Sequence, residues 1–155
     1  MMWHVPTRLG FVGVSLFFAL SASSTPVRFA APEIMLFHGR GLARPVAVAT
    51  WQENHTILLE GERRVNVDPA GNRPALPLNQ RPYLDIALFW GNWWRPIAQN
   101  RTALDTLRAS RANQTGRYYP RHRGAAAQIV LNGVPRPLSD SALAVLRRHG
   151  IPIEM

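Results

Sequence analysis

The hydrophobic pattern of the chain is uneven from its first residues. Leu9 to Leu20 (LGFVGVSLFFAL) is its most apolar segment; it follows Arg8 and gives way to Ser21-Ala22-Ser23-Ser24. A positive start, a short apolar stretch and small residues at a cleavage position form the pattern of a secretory signal peptide. Residues 1–23 are therefore expected to be a removable leader, and 24–155 a single globular domain. The alternative is a retained N-terminal membrane anchor, but a spanning helix needs about 20 apolar residues and this run stops short. No second long apolar run follows, so no transmembrane span is expected after cleavage. With no cysteine for lipid attachment and no Arg-Arg pair before the apolar run, lipoprotein and twin-arginine routes are disfavoured.

Downstream, apolar runs are short and bounded by turn residues. Glu33 to Phe37 and Pro45 to Thr50 read as strands on either side of His38-Gly-Arg-Gly41, with Val46 and Val48 on one side. Trp51 to Asn54 breaks the pattern, and Thr56 to Glu60 reads as a third strand closed by Gly61. Glu62 to Pro82 carries Pro69, Gly71, Pro74, Pro77 and Pro82 and reads as loop, with room for a short strand at 64–67. Tyr83 to Trp90 is the strongest buried strand, with Trp90 expected in the core beside Leu88. Asn100 caps a short helix through Ala109, with Leu104 and Leu107 on its apolar face. Asn113 to Gly124 reads as a polar, basic, aromatic loop. Gln128 to Leu131 is a further strand turned at Asn132-Gly133. Ser139 caps the clearest helix, in which Ala142, Leu143, Val145 and Leu146 recur at helical spacing. Arg147, Arg148 and His149 suit its C-terminal dipole, Gly150 stops it, and 151–153 dock as a tail.

These elements predict an α+β fold: a small antiparallel or mixed sheet of about five strands, a short central helix and a C-terminal helix on one face. Short connections favour antiparallel neighbours. The core must stand without disulfides or thiolate zinc, because the chain has no cysteine.

Charge sharpens the functional expectation. All 18 strongly basic side chains are arginine, the formal net charge is +9, and the sequence pI is about 11.6. Absence of lysine beside abundant Ala and Pro points to a GC-rich bacterial genome rather than to selection for guanidinium. The excess positive charge still favours anionic partners. No acid lies between Asp105 and Asp140, while Arg108, Arg111, Arg117, Arg121, Arg123 and Arg136 do. Within that interval Arg117, Tyr118, Tyr119, Arg121, His122 and Arg123 are the candidate anion-binding residues: guanidinium forks grip oxyanions and tyrosines stack on rings. The competing reading is a solvated loop whose tyrosines cover the sheet.

Other chemistry is thinly represented. Trp90, Trp93 and Trp94 fall together, with Trp51 elsewhere; burial is the usual fate of indoles, and at most one of Trp93 and Trp94 is expected outside. No metal signature is present: His38, His55, His122 and His149 are scattered, and Glu53, His55 and His38 could meet only across a hairpin. No Gly-x-Ser-x-Gly, Ser-x-x-Lys or cysteine nucleophile occurs, and Ser110, Ser139 and Ser141 lack nucleophile flanks. The acids Glu53, Glu60, Glu62, Asp68 and Asp85 come from separate segments. Catalytic residues, metals and cofactors are therefore assigned none. The sequons at Asn54, Asn100 and Asn113 are taken as chance in a bacterial composition.

The expectation is an exported, periplasmic or secreted, non-enzymatic module. Its partner would be an anionic glycan, a lipid headgroup or a polyphosphate-like ligand. Nucleic acid is disfavoured by the leader. A small secreted hydrolase and a purely structural envelope protein are the alternatives.

Overall fold

A computed structural model describes residues 31–59 and 77–155. The leader, the Ser24 cleavage region and the expected short strand at 64–67 lie outside these residues. Six antiparallel strands form one sheet in the order β2-β1-β3-β4-β5-β6. The strands are β1 (Ile34–His38), β2 (Val46–Val48), β3 (Leu84–Phe89), β4 (Gln114–Tyr119), β5 (Gln128–Leu131) and β6 (Val134–Pro137). Four helices, α1 (Trp51–Leu59), α2 (Arg95–Ala98), α3 (Arg101–Asp105) and α4 (Asp140–Arg148), complete the α+β fold. Among the described residues no helix is long and apolar enough to cross a membrane.

Side chains alternate across a sheet, so each strand splits its residues between two faces. On the first face Met35, Phe37, Val48, Leu84, Ile86, Leu88, Tyr118 and Ile129 pack under α1 and α4 into the main core. On the second, Ile34, Leu36, Ala87 and Phe89 pack with Trp94 and Leu107 from the segment that follows β3. Strand β3 is buried at every position except Asp85 because it is interior and covered on both sides. The caps work as the sequence suggests: Asn100 Oδ1 accepts from Ala103 N–H, and Ser139 Oγ from Ala142 N–H. Gly150 ends α4 at φ 72°.

Four expectations are corrected. Of the strand expected at Thr56 to Glu60, residues 56–59 are instead the second half of helix α1, and Glu60 lies outside the described residues. Thr50-x-x-Glu53 is a capping-box sequence, with the Thr50 hydroxyl donating to Glu53 at 2.7 Å. Asn54, Ile57 and Leu58 then recur at helical spacing and are the buried positions. The apolar run is thus a helix face. Second, Asn113 to Gly124 is not a loop throughout: Gln114–Tyr119 is β4, between β3 and β5. Its polarity hid it, because an interior strand can carry Thr and Arg where one face is open to solvent. Third, the helix from Asn100 ends at Asp105 instead of Ala109. Fourth, Trp90 is only partly buried against the main core.

The sixth strand, β6, has the sequence Val-Pro-Arg-Pro. It pairs through the Asn132-Gly133 turn, where both residues have positive φ, 51° and 76°, as the tight hairpin turn demands. Pro135 and Pro137 occupy alternate positions of this edge strand. Proline offers no N–H, so they blunt the edge against further pairing.

Candidate functional site

The six candidate residues do not form one cluster. Tyr118 points into the main core, fully buried, and its hydroxyl donates to Pro152 O at 3.0 Å. Burial pushes that hydroxyl well above the ordinary tyrosine value. It anchors the C-terminal tail. Arg117 and Tyr119 lie on the second face. Arg121, His122 and Arg123 lie beyond β4, at the end of the sheet where β4 gives way to β5.

That sheet end is built by the crossing of three segments. The chain leaves β4 at Pro120 and reverses at Arg123-Gly124 (φ 48° and 85°), with His122 and Ala125 exchanging backbone hydrogen bonds of 3.2 and 2.9 Å. The tail runs alongside: Arg121 N–H donates to Ile153 O at 2.8 Å, and Met155 N–H to Arg121 O at 3.1 Å. His122 Nδ1 also meets Met155 O. The third segment is the β1–β2 loop: a Cβ on Gly41 would sit 2.7 Å from Met155 Cε, so this loop packs directly on the tail. Arg40 and Arg44, both exposed, therefore share an end of the sheet with Arg121 and Arg123. A shallow cavity of about 700 Å³ opens here, lined by Arg121, His122, Arg123 and Glu154 among others. Arg121 is partly neutralised by Asp140 at 3.3 Å.

The base of this region is held by a residue the sequence reading did not single out. Arg81 is buried, and its Nη2 donates to Pro120 O at 3.0 Å and Ala126 O at 2.9 Å, tying together the two ends of the 120–126 excursion. Its Cζ lies 5.8 Å from the Tyr119 ring centroid. Among the described residues Arg81 Nε has no partner. Burial pushes the guanidinium down from its ordinary value, opposed by Tyr119. A buried charge would have been legible only from the tertiary fold, since Arg81-Pro82 reads locally as a turn.

Among the described residues the second face is apolar only over the half under Trp94 and Leu107. On the other half His38, Asp85 and Arg117 follow one another across β1, β3 and β4, as the registers His38↔Asp85 and Asp85↔Arg117 require. Arg117 Nε lies 3.8 Å from Asp85 Oδ1, and its Cζ sits 4.4 Å from the Tyr83 ring centroid. Hydrogen bonding to Tyr119 and the nearby oxygens of Tyr83 and Tyr119 push the Arg117 guanidinium further up. With Ser110, Thr115 and Asn132 these groups line a cavity of about 620 Å³. No hydrogen bond among the described residues joins Ser110 to His38, or His38 to Asp85.

The remaining groups have structural partners. Glu53 accepts from His149 Nε2 at 2.9 Å and from Arg148 at 3.1 Å, fastening α1 to α4. Burial works to raise its carboxyl, but the hydrogen bonds from Thr50 and His149 and the charges of His149 and Arg148 outweigh it and hold the value low. His55 stacks on Trp51 at 5.0 Å, and among the described residues no cluster suited to a metal ion forms. All three sequon asparagines are engaged: Asn54 is buried and donates to Pro32, Glu33 and Val48 carbonyls, Asn100 caps α3, and Asn113 Oδ1 receives Trp90 N–H and Trp94 Nε1–H. Trp93 is 69% exposed and Trp94 7%.

No protein-family model matches the chain, and no significant match is found among curated proteins or solved structures.

Proposed function

We propose that the protein is an exported, non-enzymatic module that binds an anionic partner through the basic end of its sheet. The observation that carries this reading is the packing of the β1–β2 loop on the C-terminal tail. It sets Arg40 and Arg44 at the same end of the sheet as the Arg121-His122-Arg123 turn, with the tail touching both segments, although the two are remote in sequence. Loops set on a rigid sheet are common binding elements, and the turn holds Arg123 in a left-handed conformation that a non-glycine residue adopts at a cost. The leader pattern supports export, and the excess of arginine supports an anionic partner class: glycan, lipid headgroup or polyphosphate.

Binding to linear polyphosphate over a salt series tests the site. Replacing Arg40, Arg44 and Arg123 together with Gln should weaken binding by about tenfold or more and flatten its salt dependence, because fewer counterions are released. Replacing Arg101, Arg108 and Arg147 removes the same charge elsewhere and should change affinity by no more than about twofold. Equal losses would mean that net charge alone acts, and the proposed site would fall.

A further inference from the structure

The half-open second face carries a cavity that the basic end does not use. We propose that it is a saccharide subsite for a uronic-acid unit, in which Arg117 takes the sugar carboxylate and Asp85 accepts hydrogen bonds from ring hydroxyls. This deepens the anionic-partner reading and rests on it: among the three anionic classes it selects the glycan.

Geometry comes first. The floor is sheet, with Asp85 from β3 and Thr115 and Arg117 from β4, and the walls are the Ala109–Ser110 turn and the Asn132–Gly133 hairpin. Such a floor holds its side chains in fixed register. The volume, about 620 Å³, lies within the range of small-molecule sites.

The chemistry then discriminates. Arg117 and Asp85 face each other at 3.8 Å, beyond hydrogen-bond distance, with side chains 53% and 46% exposed. Each therefore keeps hydrogen-bonding capacity for a ligand. Stacking on Tyr83 orients the guanidinium fork, which suits bidentate capture of a planar carboxylate. Asp85 decides between ligand classes. A polyphosphate brings only acceptors and like charge to it, whereas a sugar brings hydroxyl donors. The hydroxyls of Ser110 and Thr115 and the amide of Asn132 can donate or accept, as a polyol requires. The phosphate of a lipid headgroup would bring the same acceptors and like charge to Asp85 as a polyphosphate does. His38 lines the cavity and immediately precedes the loop bearing Arg40 and Arg44. An acidic polysaccharide seated on Arg117 can thus continue onto the basic end.

Calorimetric titration with tetragalacturonate, neutral galactotetraose and linear polyphosphate tests the subsite. Wild-type protein should bind tetragalacturonate about tenfold or more tighter than the neutral tetrasaccharide. Asp85→Asn should weaken tetragalacturonate by about fivefold or more while leaving polyphosphate equal or tighter, since a repulsive charge is gone. Arg117→Gln should erase the preference for the acidic sugar. On wild-type protein, tetragalacturonate should shift the amide resonances of Thr115, Arg117 and Asn132, a readout that survives if either variant fails to fold. Shifts confined to 121–124, or unchanged tetragalacturonate affinity in a folded Asp85→Asn, would overturn the subsite and leave the basic end standing. Polyphosphate binding lost in the Arg40/Arg44/Arg123 variant while tetragalacturonate still shifts Thr115 would separate the two sites. Wild-type protein that binds neither polyanion would overturn both.

Discussion

The two faces of the sheet are made by the same strands and differ in what covers them. The first is sealed: α1 and α4 lie across it, and Glu53 bridges them to His149 and Arg148. Among the described residues the second is sealed only under Trp94, Leu107 and the short helices, and none of them puts an apolar cover over Asp85, Thr115 and Arg117. Strand β4 shows the consequence residue by residue. Tyr118 faces inward and is fully buried, whereas Arg117 beside it stays half exposed. Burial on one face supplies stability; openness on the other leaves polar groups available for chemistry.

The comparison breaks hardest where the sealed face is hollowed. Leu146, fully buried in α4, should cost about 3 kcal/mol when changed to Ala, read by urea denaturation. A loss under about 1 kcal/mol would mean that α4 is loosely docked.

A smaller loss is expected at Gly116, where the faces share a backbone. A Cβ there would sit 2.4 Å from Leu131 Cδ2 and 2.6 Å from the Val130 carbonyl oxygen. The backbone atom cannot swing aside, so Gly116→Ala should force β4 and β5 apart and cost about 2 kcal/mol, again by denaturation. An unchanged midpoint would show that this strand pair adapts freely.

The clamp over the sealed face should respond to pH. Because the Glu53 carboxyl is held below its ordinary value, its contribution is complete above the usual carboxylate range and is lost as pH falls through the lower, folded-state value. Glu53→Gln should cost about 1 kcal/mol at neutral pH, a modest figure because Arg148 is largely exposed. It should also flatten the acid limb of the stability profile. Parallel acid limbs in wild type and variant would remove Glu53 from the linkage.

The smallest effect sharpens the contrast. Arg117→Gln, on the open half, should leave the melting temperature unchanged within error, since its guanidinium is solvent-exposed and its ion pair is long. A clear drop would make Arg117 part of the scaffold.

What the sequence determined by itself was local. The strands β1, β3 and β5 follow from dense apolar runs between turn residues. The Asn100 and Ser139 caps follow because a cap bonds only three residues onward. The stop at Gly150 needs only its own φ. Where two local signals competed, the apolar run Thr56 to Leu59 hid the Thr50-x-x-Glu53 sequence at the start of α1. Where polarity reflected the environment, β4 read as loop, because hydrophobicity reports what covers a strand and not whether one exists. The placement of the candidate residues was beyond any local reading. The alternation of β4 sends Tyr118 to one face and Arg117 and Tyr119 to the other, and the chain reverses at Arg123-Gly124. That the loop of Arg40 and Arg44 shares an end of the sheet with that turn depends on the tail, which touches Gly41 through Met155 and bonds to Arg121. Only tertiary packing sets such contacts, since residues so far apart in sequence meet through the topology of the sheet.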